Sequence, residues 1–404
     1  MTSEIMEQAD RVIAKTYQRF PVVLETGKGC TLVDTDGRSY TDFVAGIAVC
    51  NLGHAHDGIT RAVTRQAQTL WHVSNLYYTV PQVNLAAWLV AHSFADRVFF
   101  CNSGAEANEA AIKLARKYFN DRGQNDRFTI IAMEQSFHGR TMATLSATGQ
   151  DKIKKGFDPV LPGFEFVPFN DISALRAKMG PSICAVLVEP IQGEGGVRCP
   201  DTDYLKAVRQ ICDETGALLI FDEIQTGMGR TGKLFAYEHY GVHPDIMTLA
   251  KALANGLPIG AMLATEQVAS AFGPGAHAST FGGTPLVTAA ALEVCRTLVE
   301  KNALEKGWQA GQYFREKLEA LKQRHDCVVD VRGLGLLLAM ELNIRGEPIV
   351  NGCLRRGFLI NCIQDKILRF VPPLIIRPKE IDALVDCLDE MLQAVLPQEQ
   401  KDAP

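Results

Sequence analysis

The sequence predicts an α/β fold in which a largely parallel sheet is covered by helices and a smaller α+β region follows. Three observations predict it. Between residues 97 and 265, short apolar runs alternate with stretches of helical periodicity. Two of those runs end abruptly on a charged residue, Asp222 and Lys251. After about Val287 the alternation gives way to a long helical stretch and short strands. A chain of 404 residues also exceeds what one simple core holds, which implies two domains.

The elements follow in order. Residues 31–35 and 38–43 flank Asp36-Gly37, a favoured two-residue turn, and read as a hairpin. Residues 97–103 read as a strand, and 104–119 as a helix with Ala111, Leu114, Ala115 and Tyr118 on one face. Strands follow at 128–133 and 183–189. Residues 202–215 form a helix, apolar at Tyr204, Val208, Ile211 and Cys212 and stopped by Gly216. Strands begin at Ala217 and Asp245, and another spans 260–265. Beyond the long helical stretch, the apolar run 334–342 and two short strands precede a final helix, 379–396. That helix presents Ile381, Leu384, Val385, Leu388, Leu392 and Val395 on one face.

Composition narrows the function. Apolar content of 47% and charged content of 22% are those of an ordinary globular protein. A formal charge of −5 with scattered Lys and Arg argues against general nucleic-acid binding. No apolar run reaches the ~18 residues of a membrane span. Eleven cysteines without CxxC spacing read as buried thiols, and the polar start lacks an apolar signal core. A cytoplasmic enzyme, with no membrane partner, is the expectation.

The chemistry centres on Asp222 and Lys251. A carboxylate or an amine is costly among apolar residues unless it is paired or used. Their separation, 251 − 222 = 29 positions, is about one strand-plus-crossover unit, so both can reach the same sheet edge. A lysine amine that condenses with an aldehyde, beside an aspartate for a pyridinium nitrogen, is the protein's share of pyridoxal-phosphate chemistry.

Other motifs lie around this pair. Gly227-Met228-Gly229-Arg230-Thr231-Gly232 matches a dinucleotide fingerprint, but residue 234 is Leu and no long helix opens after it, so a nucleotide-dependent oxidoreductase is the weaker reading. Asn102-Ser103-Gly104-Ala105-Glu106 joins a strand to a helix and reads equally as a phosphate cradle or as a helix capped by Ser103. Phe137-His138-Gly139-Arg140 sets an aromatic ring beside a cation. His54 and His56 lack a third ligand, so no metal is expected. Glu189 and Glu194 border a glycine-rich loop, and Ser279-Thr280-Phe281-Gly282-Gly283 offers hydroxyls and glycines to a phosphate. Arg369 is a lone cation in an apolar strand and needs an anion.

Together, the segments FCNSGAEANEAAIKLAR, FHGRT, VEPIQGEGG, LLIFDEIQTGMGRTG, LAKALANGLPIGA and STFGG resemble the class-III aminotransferases of pyridoxal-phosphate fold type I, most nearly their acylornithine branch. The resemblance covers nearly the whole chain. It implies a large cofactor domain, 51–290, and a small domain from both chain ends, 1–50 and 291–404. It implies Lys251 as the cofactor-bearing lysine and Asp222 as partner of the ring nitrogen. Ser103, Gly104 and Ala105 would take the phosphate, helped by Thr280 of a second subunit in a homodimer with shared active sites. Phe137 and Ile224 would cover the ring faces, and Gln225 would meet the ring hydroxyl. Arg140 and Arg369 would hold substrate carboxylates, with Glu194 pairing the latter and Ser279 in the substrate-binding set. The implied reaction moves the terminal amino group of N2-acetylornithine to 2-oxoglutarate. The alternative within the class is an ornithine, 4-aminobutyrate or diamine donor. Cys50, Asp57, Ala250 and Thr284 depart from the family pattern, the first and last near the expected pocket or its dimer rim.

Overall fold

The computed structural model describes residues 2–399, with side chains to residue 394. Its centre is a seven-stranded sheet. Across the sheet the strands run Arg97–Cys101, Gly260–Ala264, Ile246–Leu249, Leu218–Asp222, Ile183–Val188, Thr129–Met133 and Phe164–Val167. Every pair between Ile246–Leu249 and Phe164–Val167 is parallel, whereas Gly260–Ala264 is antiparallel to both neighbours. The expectation of a largely parallel sheet is met.

Period-two alternation divides these strands between two apolar layers. Leu218 and Ile220 join Ala111, Leu114 and Ala115 of the helix Gly104–Asn120 on one face. Leu219 and Phe221 join Val208, Ile211 and Cys212 of the helix Tyr204–Thr215 on the other. Gly216 ends that helix in the left-handed conformation, φ 68°, which glycine adopts without strain. Strands buried on both faces read as continuous apolar runs, which is why they were legible.

Two smaller sheets flank this core. Thr31–Asp34 and Ser39–Asp42 form the expected hairpin, and Phe358–Leu359 adds to it in parallel, so the two chain ends share one sheet. The apolar run at 334–342 is not one strand. It turns at Gly335, and Val328–Leu334 pairs antiparallel with Leu337–Leu342. The long helical stretch is two helices, Pro285–Glu300 and Ala303–Arg324, broken where Asn302 takes φ 56°. The edge strand Phe164–Val167 and the helix Glu347–Arg355 add to the predicted set. In the final helix, Pro378–Glu399, the residues Ile381, Leu384, Val385, Leu388 and Leu392 are buried; the side chain of Val395 lies outside the described residues.

Candidate active site

The carboxyl ends of the parallel strands open into a pocket of about 410 Å³. This is the edge where open α/β sheets present their functional groups. Asp222 closes the strand Leu218–Asp222 and is buried. Its Oδ2 accepts hydrogen bonds from Asn108 Nδ2 (2.7 Å) and His138 Nδ1 (2.8 Å), and its Oδ1 accepts from the Ile224 N–H (3.0 Å). Three donors hold the carboxylate in one orientation at the pocket wall.

Lys251 follows the next strand, Ile246–Leu249, and lines the same pocket. Its backbone φ of 41° lies in the left-handed region, a conformation that costs a non-glycine residue ~1–3 kcal/mol and gathers at functional sites. Burial pushes its amine below the ordinary lysine range. Glu194 opposes that push, Arg369 adds to it, and Asp222 and Glu189 oppose it further. An amine displaced toward neutrality in a pocket is suited to act as a nucleophile and proton carrier.

Opposite lies the start of the helix Gly104–Asn120. Ser103 caps it, its Oγ accepting from the Glu106 N–H at 3.2 Å, while Ser103, Gly104 and Ala105 all line the pocket. The cap does not use up the first turn, whose other N–H groups have no intrahelical acceptor. A Cβ on Gly104 would lie 2.8 Å from Ile224 Cδ1, so only glycine lets helix and side chain close up here. Phe137 and Ile224 supply apolar lining. The exposed Arg140 stacks its guanidinium on Phe137, 5.6 Å from the ring centroid.

Arg369 is 1% exposed and ion-paired with Glu194. Gln225 bridges them: its Nε2 donates to Glu194 Oε1 at 3.3 Å, and its Oε1 accepts from Arg369 at 3.5 Å. Burial alone would raise the Glu194 carboxyl, but Arg369 and then Lys251 more than offset it and hold it below its usual range. Behind them Glu189 accepts from the Phe137 and Gly193 N–H groups at 3.1 and 3.2 Å. Burial pushes Glu189 up to about 7, with Asp222 reinforcing and His138 opposing.

Not every expected residue converges. Ser279 and Thr280 lie outside this pocket, on an adjoining recess with Asn102, Glu106 and His277. The Gly227–Gly232 segment is packed against protein: a Cβ on Gly232 would lie 2.3 Å from Trp308, and the next helix is the single turn Tyr237–Tyr240. It has no helix start for a pyrophosphate, and the nucleotide reading falls. His54 pairs with Asp42 at 2.7 Å, and His56 caps the helix Asp57–Ala67. Sequence reasoning gave no role to Asn108, to Thr248 or to the imidazole of His138, and it missed Val49 and Leu257–Ile259 in the pocket lining. The one available signal was polarity at positions, 108 and 248, whose apolar neighbours are buried.

A buried carboxylate, an amine displaced toward neutrality, apolar walls and a helix N-terminus fit a flat, phosphorylated pyridine aldehyde. Comparison with known proteins agrees. The family model for class-III aminotransferases matches residues 12–392. The chain is 52% identical to the acetylornithine aminotransferase of Methanocaldococcus jannaschii, over 94% of this chain and 95% of the relative. It is 54% identical to that of Thermosynechococcus vestitus, over 95% of each. Among solved structures, the ornithine aminotransferase of Toxoplasma gondii superposes with a TM-score of 0.95 at 33% identity, covering 98% of this chain and 96% of that one. The acetylornithine aminotransferase of Elizabethkingia anophelis gives 0.87 at 33%, covering 97% and 99%. The sheet-edge pocket and these matches have one reading: this chain belongs to the class-III aminotransferases, enzymes that depend on pyridoxal phosphate.

Proposed function

We propose that this aminotransferase moves the terminal amino group of an N2-acylornithine, N2-acetylornithine first, to 2-oxoglutarate, yielding the semialdehyde and glutamate. The observation that carries this reading is the ion pair of Arg369 with Glu194, which lines the pocket together with Arg140, an arginine in no ion pair among the described residues. A donor that reacts at its terminal amine brings no carboxylate to the reacting carbon, whereas glutamate does. A pocket that serves both needs one arginine always free and a second whose charge is covered on demand. The names of the half-identical relatives support the same substrate. An amine-donor panel with 2-oxoglutarate as acceptor tests it. Acetylornithine and succinylornithine should far exceed ornithine, 4-aminobutyrate and diamines in kcat/KM; a preference for any of the latter three overturns the substrate.

The cofactor, when bound, supplies a ring that draws electrons from the reacting carbon. The residues do the rest. Lys251 would hold the cofactor covalently and, as a neutral amine, would move the proton at the substrate carbon. Asp222 keeps a negative charge at the ring nitrogen. Backbone N–H groups of Gly104 and Ala105, with Ser103, take the phosphate. Phe137 and Ile224 exclude water from the ring faces, and Gln225 meets the ring hydroxyl. Arg140 holds the distal carboxylate of either substrate.

A homodimer completes the site in this reading. Leu76, Tyr78 (97% exposed), Val80 and Phe281 leave an apolar surface open to solvent. The side-chain amide of Asn75 ties that surface to the Ser279–Gly282 loop, donating to the Ser279 and Gly282 carbonyls at 3.1 and 3.0 Å. Burying it against a second copy would carry Thr280 to the partner's phosphate and Ser279 to the partner's substrate. Domain limits at 1–50, 51–290 and 291–404 fit the three sheets. Cysteines without CxxC spacing suit a reducing cytoplasm, and among the described residues no helix is long and apolar enough to cross a membrane.

A further inference from the structure

The Asp222 carboxylate stands at the end of a chain of hydrogen bonds that begins outside the pocket. Thr248 is the in-register neighbour of Asp222 on the adjacent parallel strand. Its hydroxyl donates to Asn108 Oδ1 at 2.8 Å. The Asn108 amide then spends both of its protons: Nδ2 donates to the His138 carbonyl at 2.8 Å and to Asp222 Oδ2 at 2.7 Å. Asn108 and Thr248 are both fully buried, and neither lines the pocket.

Each part of this arrangement has a consequence. Two donors, Asn108 and the His138 ring, fix Oδ2, so the carboxylate cannot swing about its Cβ–Cγ bond. Among the described residues Oδ1 accepts only the Ile224 N–H, which leaves it acceptor capacity, and Asp222 lines the pocket. The Asn108 donor is neutral, so it orients the charge without cancelling it, as an arginine or lysine would. Among the described residues Thr248 alone donates to the Asn108 side-chain oxygen, and a buried amide oxygen left without a donor is costly.

We infer that Asn108, anchored by Thr248, is a positioning residue that aims the open edge of the Asp222 carboxylate at the cofactor ring nitrogen. This rests on the proposed role of Asp222. Asn108 touches neither cofactor nor substrate and acts through Asp222.

The test uses holoenzyme loaded with pyridoxal phosphate labelled with ¹⁵N at the ring. The ring-nitrogen chemical shift separates protonated from unprotonated pyridine, and the cofactor dissociation constant is read in parallel. Asn108→Leu should move the resonance toward unprotonated pyridine and weaken cofactor binding on the order of tenfold. Thr248→Val should move both in the same direction by less, and Thr248→Ser should restore both. Wild-type resonance and affinity in both Asn108→Leu and Thr248→Val overturn the inference. Should Asn108→Leu misfold, the Thr248 pair decides alone, because valine and threonine share one shape. Asp222→Ala separates the two levels. If it leaves the resonance unchanged, the reading of Asp222 falls; if it shifts the resonance and the Thr248 and Asn108 variants do not, only the present inference falls.

Discussion

The guanidinium of Arg369 is countered by the carboxylate of Glu194, which reaches it from a glycine-rich loop 175 positions earlier in the chain. Arg369 sits on the strand Ile367–Phe370 of a small sheet, so the pair joins the flanking sheet to the edge of the central one. Removing one partner of a buried pair typically costs ~3–5 kcal/mol, because a charge is left without a partner. Yet Glu194 is 28% exposed, and in the proposed reaction it would leave when a substrate carboxylate takes its place.

Glu194→Ala should therefore separate the two half-reactions. The rate with acetylornithine should fall on the order of tenfold, ~1.4 kcal/mol of barrier. The rate with glutamate should hold or improve, because its carboxylate no longer competes with Glu194. Stopped-flow absorbance of the cofactor with each substrate alone reads this out. Equal losses would make the pair a static strut.

Asp222→Asn should cripple turnover far more than folding. The amide keeps the shape but loses the charge that stabilises a protonated ring nitrogen, a loss worth on the order of a hundredfold in kcat. Steady-state kinetics beside a thermal melt checks it; a kcat within a few-fold of wild type contradicts the role.

Shared sites predict complementation. Lys251→Ala and Thr280→Ala, each inactive or impaired, should regain activity when mixed and re-dimerised. In the heterodimer both lesions then fall on one site and the other is intact. Proven exchange without recovery places Thr280 in its own subunit's chemistry or in none.

Stability should depend on pH through His54. Its hydrogen bond to Asp42, helped by Cys50, raises the imidazole to about 9 from its ordinary 6.5. A raised folded value means the folded state holds the proton more tightly. The stabilisation is then complete below pH 6.5 and is lost as pH rises through about 9. The urea-midpoint advantage of wild type over His54→Gln should be largest below pH 6.5 and shrink as pH rises through about 9. An advantage constant with pH would assign His54 to packing alone.

Much of this molecule was legible in its residues. Strands such as Ile183–Val188 are buried on both faces, so they wrote continuous apolar runs into the chain, and the charged residues that ended two runs marked the pocket. What periodicity conceals is tertiary. The Gly335 turn hides inside an apolar run because Leu334 precedes it and the buried residues Leu336 to Met340 follow it. The helix pair at Pro285–Glu300 and Ala303–Arg324 reads as one stretch because no proline or glycine stands at the break, which a left-handed asparagine makes. Asn108 meets Asp222 across 114 positions and Thr248 across 140, and no local pattern announces such bonds. Motif likeness named Ser279 and Thr280, but the single chain holds them off its own pocket.

The central claim is that Lys251 is the residue that carries the cofactor, and one measurement tests it most directly. The holoenzyme is reduced with borohydride, digested and mapped by mass spectrometry. The account predicts the reduced phosphopyridoxyl label on Lys251, and in Lys251→Ala a folded protein with no such label and no turnover. Label on Lys113 or Lys233 in the wild-type enzyme would contradict it.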